Sequence, residues 1–437
     1  MPLVRPPPLP PRNSSSSQSG TPQTKQYPTL GLCGRSSFTQ GHNDWLQISS
    51  PRRIPNFDIC PDCYNTSFRG TRYASLISAQ SAKPANPQLQ TMCDFSFLWV
   101  RLAYMWLFQQ GQPDLSLLGE ISSIQRDKDG ICPNFNMEDT EVKKGGKPAV
   151  TRTWYSLRDP KTGSLVEEMT ACSDCVAHIN IIFPCLKRIF APVADGQALL
   201  ATCDLMTQGN GQQRCLEYVD KIASVAEITL ETKTRDVTPL IDFVKKWAPV
   251  PVCQKGNSVK GEKQYCLSSM ASEFTACEDC YLKHVEPLYS SSPRPAILSQ
   301  FRAQEPHPGG FMCDLYSPRL QTYFTDACRT NDLSTFRQKI QARNNKMQEL
   351  DIQLARMKQE FQQLKMQENM HMNQMRIAQS QARMASTQWT VSGWIGPPID
   401  WSATNAQMAK ASEKAMQAAI IQDNMTALEK EWNDHWK

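Results

Sequence analysis

Cys60-Pro-Asp-Cys63, Cys172-Ser-Asp-Cys175 and Cys277-Glu-Asp-Cys280 decide how this chain is read. Each is a pair of cysteines two residues apart, with Asp before the second thiol. Further along, each has a Cys-Asp step: Cys93-Asp94, Cys203-Asp204 and Cys313-Asp314. A lone cysteine stands upstream of each pair after a small apolar residue, at Cys33, Cys132 and Cys253. The spacings read Cys-x26-Cys-x2-Cys-x29-Cys, then Cys-x39-Cys-x2-Cys-x27-Cys, then Cys-x23-Cys-x2-Cys-x32-Cys. Twelve of the sixteen cysteines fall into this pattern. Trp45, Trp154-Tyr155 and Tyr265 stand in the first gap of each segment, which supports the register. Self-similarity at a period of about 110 residues predicts one structural unit used three times.

A thiolate pair two residues apart forms a tight knuckle around one metal ion, and two more thiolates complete the tetrahedron that zinc prefers. One pair and two singles per segment supply four ligands and leave no vacancy. A closed site of this kind is structural, because a catalytic zinc keeps one position open. The sequence therefore predicts three structural Zn2+ sites and no zinc chemistry. The rival readings are a disulfide framework, which belongs to secreted chains, and a thioredoxin-like redox pair. The beginning Met1-Pro-Leu-Val-Arg-Pro-Pro-Pro lacks the apolar stretch of a signal peptide, which points to an intracellular, reducing compartment, cytoplasmic or nuclear. Redox pairs do not ordinarily come in triplicate with matched single cysteines.

The singles are less firmly placed than the pairs, because Cys185, Cys215, Cys266 and Cys328 lie within reach as replacements. Their plainer reading is buried, inert thiols. Asp62, Asp174 and Asp279, each between two ligands, are expected to cap the segment that follows. His178 and His284 follow the second and third pairs, but the first segment has Thr66 and Ser67 there, so structural histidines are expected.

The 437 residues are 40% hydrophobic, with a formal charge of +5 and thirty prolines. Mean hydropathy is -0.48. This suits several small cores better than one large one. Three zinc ions, each with four thiolates, would bring the formal charge to -1. Residues 131–250 hold 14 Lys+Arg against 15 Asp+Glu, and the loop Lys143-Lys-Gly-Gly-Lys147 reads as solvated. The clustered basic footprint of a nucleic-acid binder is missing from the linear sequence. Phe95–Phe108 is the most apolar run, but it contains Arg101 and is shorter than a bilayer requires. It predicts a buried helix starting near Cys93 and stopped by Gly111-Gln-Pro113.

The fold class expected is α+β: small zinc-stabilised modules in three tandem repeats, a long C-terminal α-helical hairpin or coiled coil, and a disordered N-terminal tail. The boundaries read 1–30 for the Pro/Ser-rich tail, then 31–125, 126–248 and 249–330 for the four-cysteine segments. A heptad-patterned helix follows over 331–387, then a Trp/Gly/Pro breaker over 388–402 and a second helix over 403–437. The heptad seam runs Phe336, Ile340, Arg343, Met347, Leu350, Leu354, Met357, Phe361, Leu364, Glu368, His371, Met375, Ala378, Ala382 and Ala385. In the second helix the apolar side is expected to be Met408, Ala411, Ala415, Ala418, Met425, Leu428 and Trp432. The tail carries Arg5-x-x-Pro8-x-x-Pro11-Arg12, whose polyproline spacing fits an SH3 domain.

No G-x-S-x-G, Walker A loop or H-E-x-x-H occurs, so no catalytic residue is assigned and the chain is read as no enzyme. The expected function is an intracellular scaffold or adaptor. Its partners would be proteins met through the coiled coil at Met347, Leu350, Leu354, Met357, Phe361 and Leu364, another copy included, and an SH3 domain at the tail. The alternatives are a nuclear zinc protein contacting nucleic acid and a CxxC thiol oxidoreductase.

Overall fold

A computed structural model describes residues 28–79, 90–134, 149–205, 212–270, 273–305, 308–391 and 400–436. The tail with Arg5, Pro8, Pro11 and Arg12, and the 143–147 loop, lie outside the described residues. The chain divides into two compact units, one ending at Val252 and the other beginning at Cys253.

In the first unit, β1 (Leu46–Ile48) pairs antiparallel with β2 (Ile77–Ala79), and Leu46 also bridges Ile59, one residue before Cys60. The first knuckle is the short helix α1 (Pro61–Cys63), where proline at the first helical position forfeits no hydrogen bond. After Cys93 a single 3-10 turn leads into α2 (Leu98–Gln109), which stops before Gly111 at φ 69. That is the helix the apolar run predicts. Arg101 on this helix ties it to its surroundings, because its guanidinium donates to the carbonyls of Phe95 and Gly31, both at 2.8 Å. α3 (Ser116–Ser122) follows.

The second four-cysteine segment is built on β3 (Val150–Leu157), which carries Trp154 and Tyr155. β4 (Ala171–Cys172) runs into the knuckle and pairs with β3 at Trp154 and Tyr155, and the knuckle opens α4 (Ser173–Ile182). β5 (Phe190–Pro192) flanks β3 on its other side, and β6 (Ala198–Ala201) pairs with residues 150–153 of β3. Two amphipathic helices, α5 (Gln212–Thr232) and α6 (Thr238–Trp247), close the unit. Their apolar sides supply Ile222, Val225, Leu240 and Val244 to the core.

Separate cores for the first two segments are not what forms. One hydrophobic core runs from Trp45 through Cys93 and Cys172 to Val244. The cause is α2, which is apolar nearly all round and must be covered on more than one side. Phe68, Tyr73, Phe95 and Tyr104 form an aromatic cluster on its own segment's side, with centroids 4.6 to 5.8 Å apart. On the other side Trp106 meets Phe183 edge-on at 4.9 Å, and Trp99 stacks on His178 at 5.5 Å. Each large side chain buried this way contributes about 1.5–3 kcal/mol.

In the second unit, β7 (Gln264–Leu267) is flanked by β8 (Thr275–Cys277) and β9 (Phe301–Gln304). β8 enters the third knuckle, which opens α7 (Glu278–His284). In α8 (Pro318–Thr330) the Ser317 hydroxyl caps the N-terminus by accepting from Leu320 N, and Asn331 ends the helix in the left-handed region at φ 56.

α9 (Leu333–Val391) then runs without interruption, and α10 (Ser402–His435) folds back along it. The pairing is antiparallel: His371 Nδ1 lies 2.9 Å from Gln407 Oε1, and Lys346 pairs with Glu431 at 3.3 Å. Of the two arrangements left open by the heptads, the chain forms the hairpin. Every seam residue from Phe336 to Ala382 is buried or half-buried, while Ala385 lies outside the residues whose side chains are described. Among Met347, Leu350, Leu354, Met357, Phe361 and Leu364, Leu350 is buried and the other five are half-buried. On α10 the buried stripe is Thr404, Ala411, Ala418 and Met425, spaced by seven, with Ala415, Leu428 and Trp432 half-buried. Met408 departs from expectation at 55% exposed, because Thr404 and Ala411 take the inward positions on either side of it.

Candidate metal centres

The structure gathers the twelve cysteines into three groups: Cys33, Cys60, Cys63 and Cys93; Cys132, Cys172, Cys175 and Cys203; and Cys253, Cys277, Cys280 and Cys313. Within each group the four sulfurs lie within 4.8 Å of one another. All are buried except Cys33, which is half-buried. Where single distances are resolved they are 3.8 Å for Cys33–Cys60 and 3.7 Å for Cys203–Cys175. A regular tetrahedron with Zn–S bonds of about 2.3 Å has edges of about 3.8 Å, so the sulfur frame has the size the ion requires. All sixteen cysteines are free thiols.

Local backbone geometry prepares these sulfurs as anions. Cys63 N donates to Cys60 Sγ at 3.4 Å and Cys280 N to Cys277 Sγ at 3.5 Å, the turn that two-residue spacing produces. The first cysteine of the pair donates its own amide to the fourth sulfur, Cys60 N to Cys93 Sγ at 3.3 Å and Cys277 N to Cys313 Sγ at 3.4 Å. Lys255 N donates to Cys253 Sγ at 3.3 Å.

Four thiols packed this closely cannot all ionise unaided. Hydrogen bonds from the neighbouring thiols, Cys63 first, pull Cys60 far below its usual value, and the same happens to Cys203 and Cys253. Their partners Cys63, Cys93, Cys132, Cys280 and Cys313 are pushed up by donating those bonds, and Cys175 chiefly by burial. A divalent cation removes the conflict, because a coordinating thiol is deprotonated outright.

The Cys-Asp step has a physical role that its recurrence did not disclose. Each aspartate pairs, through carboxylate and amide, with the residue two before the knuckle. Asp58 N donates to Asp94 Oδ2 at 2.6 Å, Thr170 N to Asp204 Oδ2 at 2.8 Å and Thr275 N to Asp314 Oδ2 at 2.9 Å. The reverse bonds run from the amides of Asp94, Asp204 and Asp314 to the carbonyls of Asp58, Thr170 and Thr275, at 2.7 to 2.9 Å. The fourth ligand is thereby clamped beside the first of the pair. Burial is the main force pushing the Asp94 carboxyl up to about 7 and raising Asp314. Thr170 and Thr275 reinforce the clamp with their hydroxyls, which donate to Thr202 O and Met312 O at 2.6 Å and lie 3.3 and 3.5 Å from the aspartate Oδ2, whereas Asp58 contributes its backbone.

The central aspartates lie in the first turn and do not take the cap position, which falls to Cys60, Cys172 and Cys277. Asp174 accepts from Cys132 N at 3.1 Å and from Arg126 Nε at 3.0 Å, which ties the upstream ligand to the knuckle. Asp279 pairs with Lys283 at 2.9 Å. Asn134 Nδ2 donates to Cys203 O at 2.7 Å and steadies the fourth ligand. Cys185, Cys215, Cys266 and Cys328 stand outside the three groups, and Cys215 Sγ donates to Leu205 O. Among the described residues His178 and His284 also stand outside, and burial lowers both imidazoles.

Among the described residues no helix is long and apolar enough to cross a membrane. Compared with family models, curated proteins and solved structures, the chain matches none.

Proposed function

We propose that this protein is a zinc-stabilised scaffold: three structural zinc centres, one unit used three times, hold the three cysteine segments folded, and the helical hairpin is the arm that meets another protein. The observation that carries the zinc reading is the closure of each centre, in which four sulfurs fill a tetrahedral frame and leave no position for water or substrate. The repeated-unit reading is supported by the aspartate clamp, which recurs with the same atoms at Asp94, Asp204 and Asp314. The sulfur frames argue against a redox pair, which needs one accessible thiolate. The motif at Arg5, Pro8, Pro11 and Arg12 remains an SH3 ligand within this proposal.

The arm reading is supported by the outer side of α9. With the heptad seam turned toward α10, Ile352, Met366, Met370, Ile377 and Met384 are left exposed. Methionine-rich exposed surfaces adapt to partner helices. A photo-crosslinking residue at Met370 of the full chain should trap one defined polypeptide, another copy or a different protein. The same residue at Leu354 should give only an intrachain product. A chain that yields no intermolecular product from Met370 overturns the arm assignment while leaving the metal centres untouched.

A further inference from the structure

A cavity of about 220 Å³ lies where the last turn of α10 meets α8 and α9, in the second unit. Its wall is cationic and aromatic: Arg319 and Tyr323 from α8, Lys339 and Arg343 from α9, His435 and Trp436 at the end of α10. Among the described residues no carboxylate lines it. The pocket is partly open to solvent and roomy enough for a small anion.

The charges in this wall are unequally engaged. Arg343 is committed, donating to Asp314 at 3.0 Å and to Trp436 O at 3.2 Å. Arg319 gives one bond, to Asp434 O at 2.8 Å, and no carboxylate reaches it among the described residues. The Lys339 ammonium lies 4.4 Å from the Tyr323 ring centroid and likewise has no ion-pair partner among the described residues. A guanidinium carries five donors and an ammonium three, so both retain several to offer. Both side chains line the same pocket, so an anion seated there gains charge-assisted hydrogen bonds from each.

We propose that this cavity is a binding site for a compact oxyanion, phosphate or carboxylate, held chiefly by Arg319 and Lys339 against a floor made by Arg343 and the two aromatic rings. The bound anion links α8, α9 and the end of α10, so it clamps the hairpin to the third cysteine segment. This site is independent of the scaffold reading.

The test is isothermal titration of the full-length, metal-loaded protein with inorganic phosphate and, in parallel, acetate, at constant ionic strength set by sodium chloride. At least one anion should bind with a dissociation constant of about 1 mM or tighter. Arg319→Gln and Lys339→Gln should each weaken that binding about tenfold, the loss of one charge-assisted bond. Lys410→Gln, an exposed change elsewhere on α10, should leave it unchanged. Lys339 is exposed, so its variant keeps the test valid even if Arg319→Gln disturbs folding. Which anion binds identifies the ligand chemistry. Failure of both anions to bind, or binding that both variants leave unchanged, overturns the proposal.

Discussion

The Arg343 guanidinium on α9 donates to the carboxylate of Asp314, the residue after the fourth cysteine of the third centre, at 3.0 Å. The same arginine reaches Trp436 O at 3.2 Å and lies over the Trp432 ring at 5.1 Å. One side chain thus joins the sulfur frame to both helices of the hairpin. The root of α9 adds Phe336 and Ile340 to the core around Cys277 and Cys313, and Arg337 pairs with Glu273 at 2.7 Å.

Arg343→Ala should therefore undock the hairpin. Arg343 and Asp314 are only 7% and 15% exposed, and removing one partner of such a pair costs about 3 kcal/mol or more. Urea unfolding should show that loss, and hydrogen exchange should speed up in 425–436 while the first unit keeps its protection. An unchanged exchange rate in α10 would contradict the linkage.

The shared core makes a different forecast for the cysteines. Cys172→Ser should destabilise the surroundings of both Cys93 and Cys203, since one core serves both segments. Cys277→Ser should destabilise only the core around Cys253 and Cys313, together with the root of α9. Pulse proteolysis with peptide mapping reads this directly. Cleavage confined to 126–248 in Cys172→Ser would argue for separate modules.

Asp204→Ala tests the clamp without touching a ligand. Its carboxylate accepts from Thr170 N at 2.8 Å, and loss of a group that orients a metal ligand typically lowers affinity about 10- to 100-fold. Competition with a chromophoric chelator should show one of three metals leaving first. Three equally held metals would remove the clamp's assigned role.

His178 gives a pH dependence whose sign follows from burial. Desolvation is the main cause lowering its pKa; Asp174 opposes the shift, Arg126 adds to it, and Trp99 covers the ring face. The unfolded chain takes up the proton near pH 6.5 while the folded chain resists it. The stability contribution is thus complete above that pH and falls below it by up to about 1.4 kcal/mol per pH unit. His178→Phe, which keeps the ring stack, should flatten the slope measured by urea midpoints between about pH 5.5 and 7.5. An equal slope in both proteins would assign the titration elsewhere.

The three four-cysteine groups were legible because their members recur in order along the chain: the pair is local, and the single cysteines repeat around it. The hairpin seam was legible for the same reason, through a period of seven. What escaped were relationships carried by the backbone or by unlike neighbours. The part of the clamp common to all three segments is the amide and carbonyl at positions 58, 170 and 275; the threonine hydroxyls at Thr170 and Thr275 have Asp58 as their counterpart, so the residue type does not repeat three times. Trp106 against Phe183 could not be foreseen either, because an all-apolar helix shows that it is covered without showing by what. Met408 was misplaced because a Met among alanines reads as inward, whereas the close approach of α9 and α10 favours Ala411 and Ala418 there.

The central claim is that three four-thiolate zinc centres hold this protein together, and native mass spectrometry of the freshly purified, reduced full chain, with elemental analysis beside it, tests it most directly. The account predicts three zinc ions per chain, falling to two in Cys172→Ser and in Cys277→Ser. A metal-free folded chain, or cysteine pairs joined covalently in its peptide map, would contradict it.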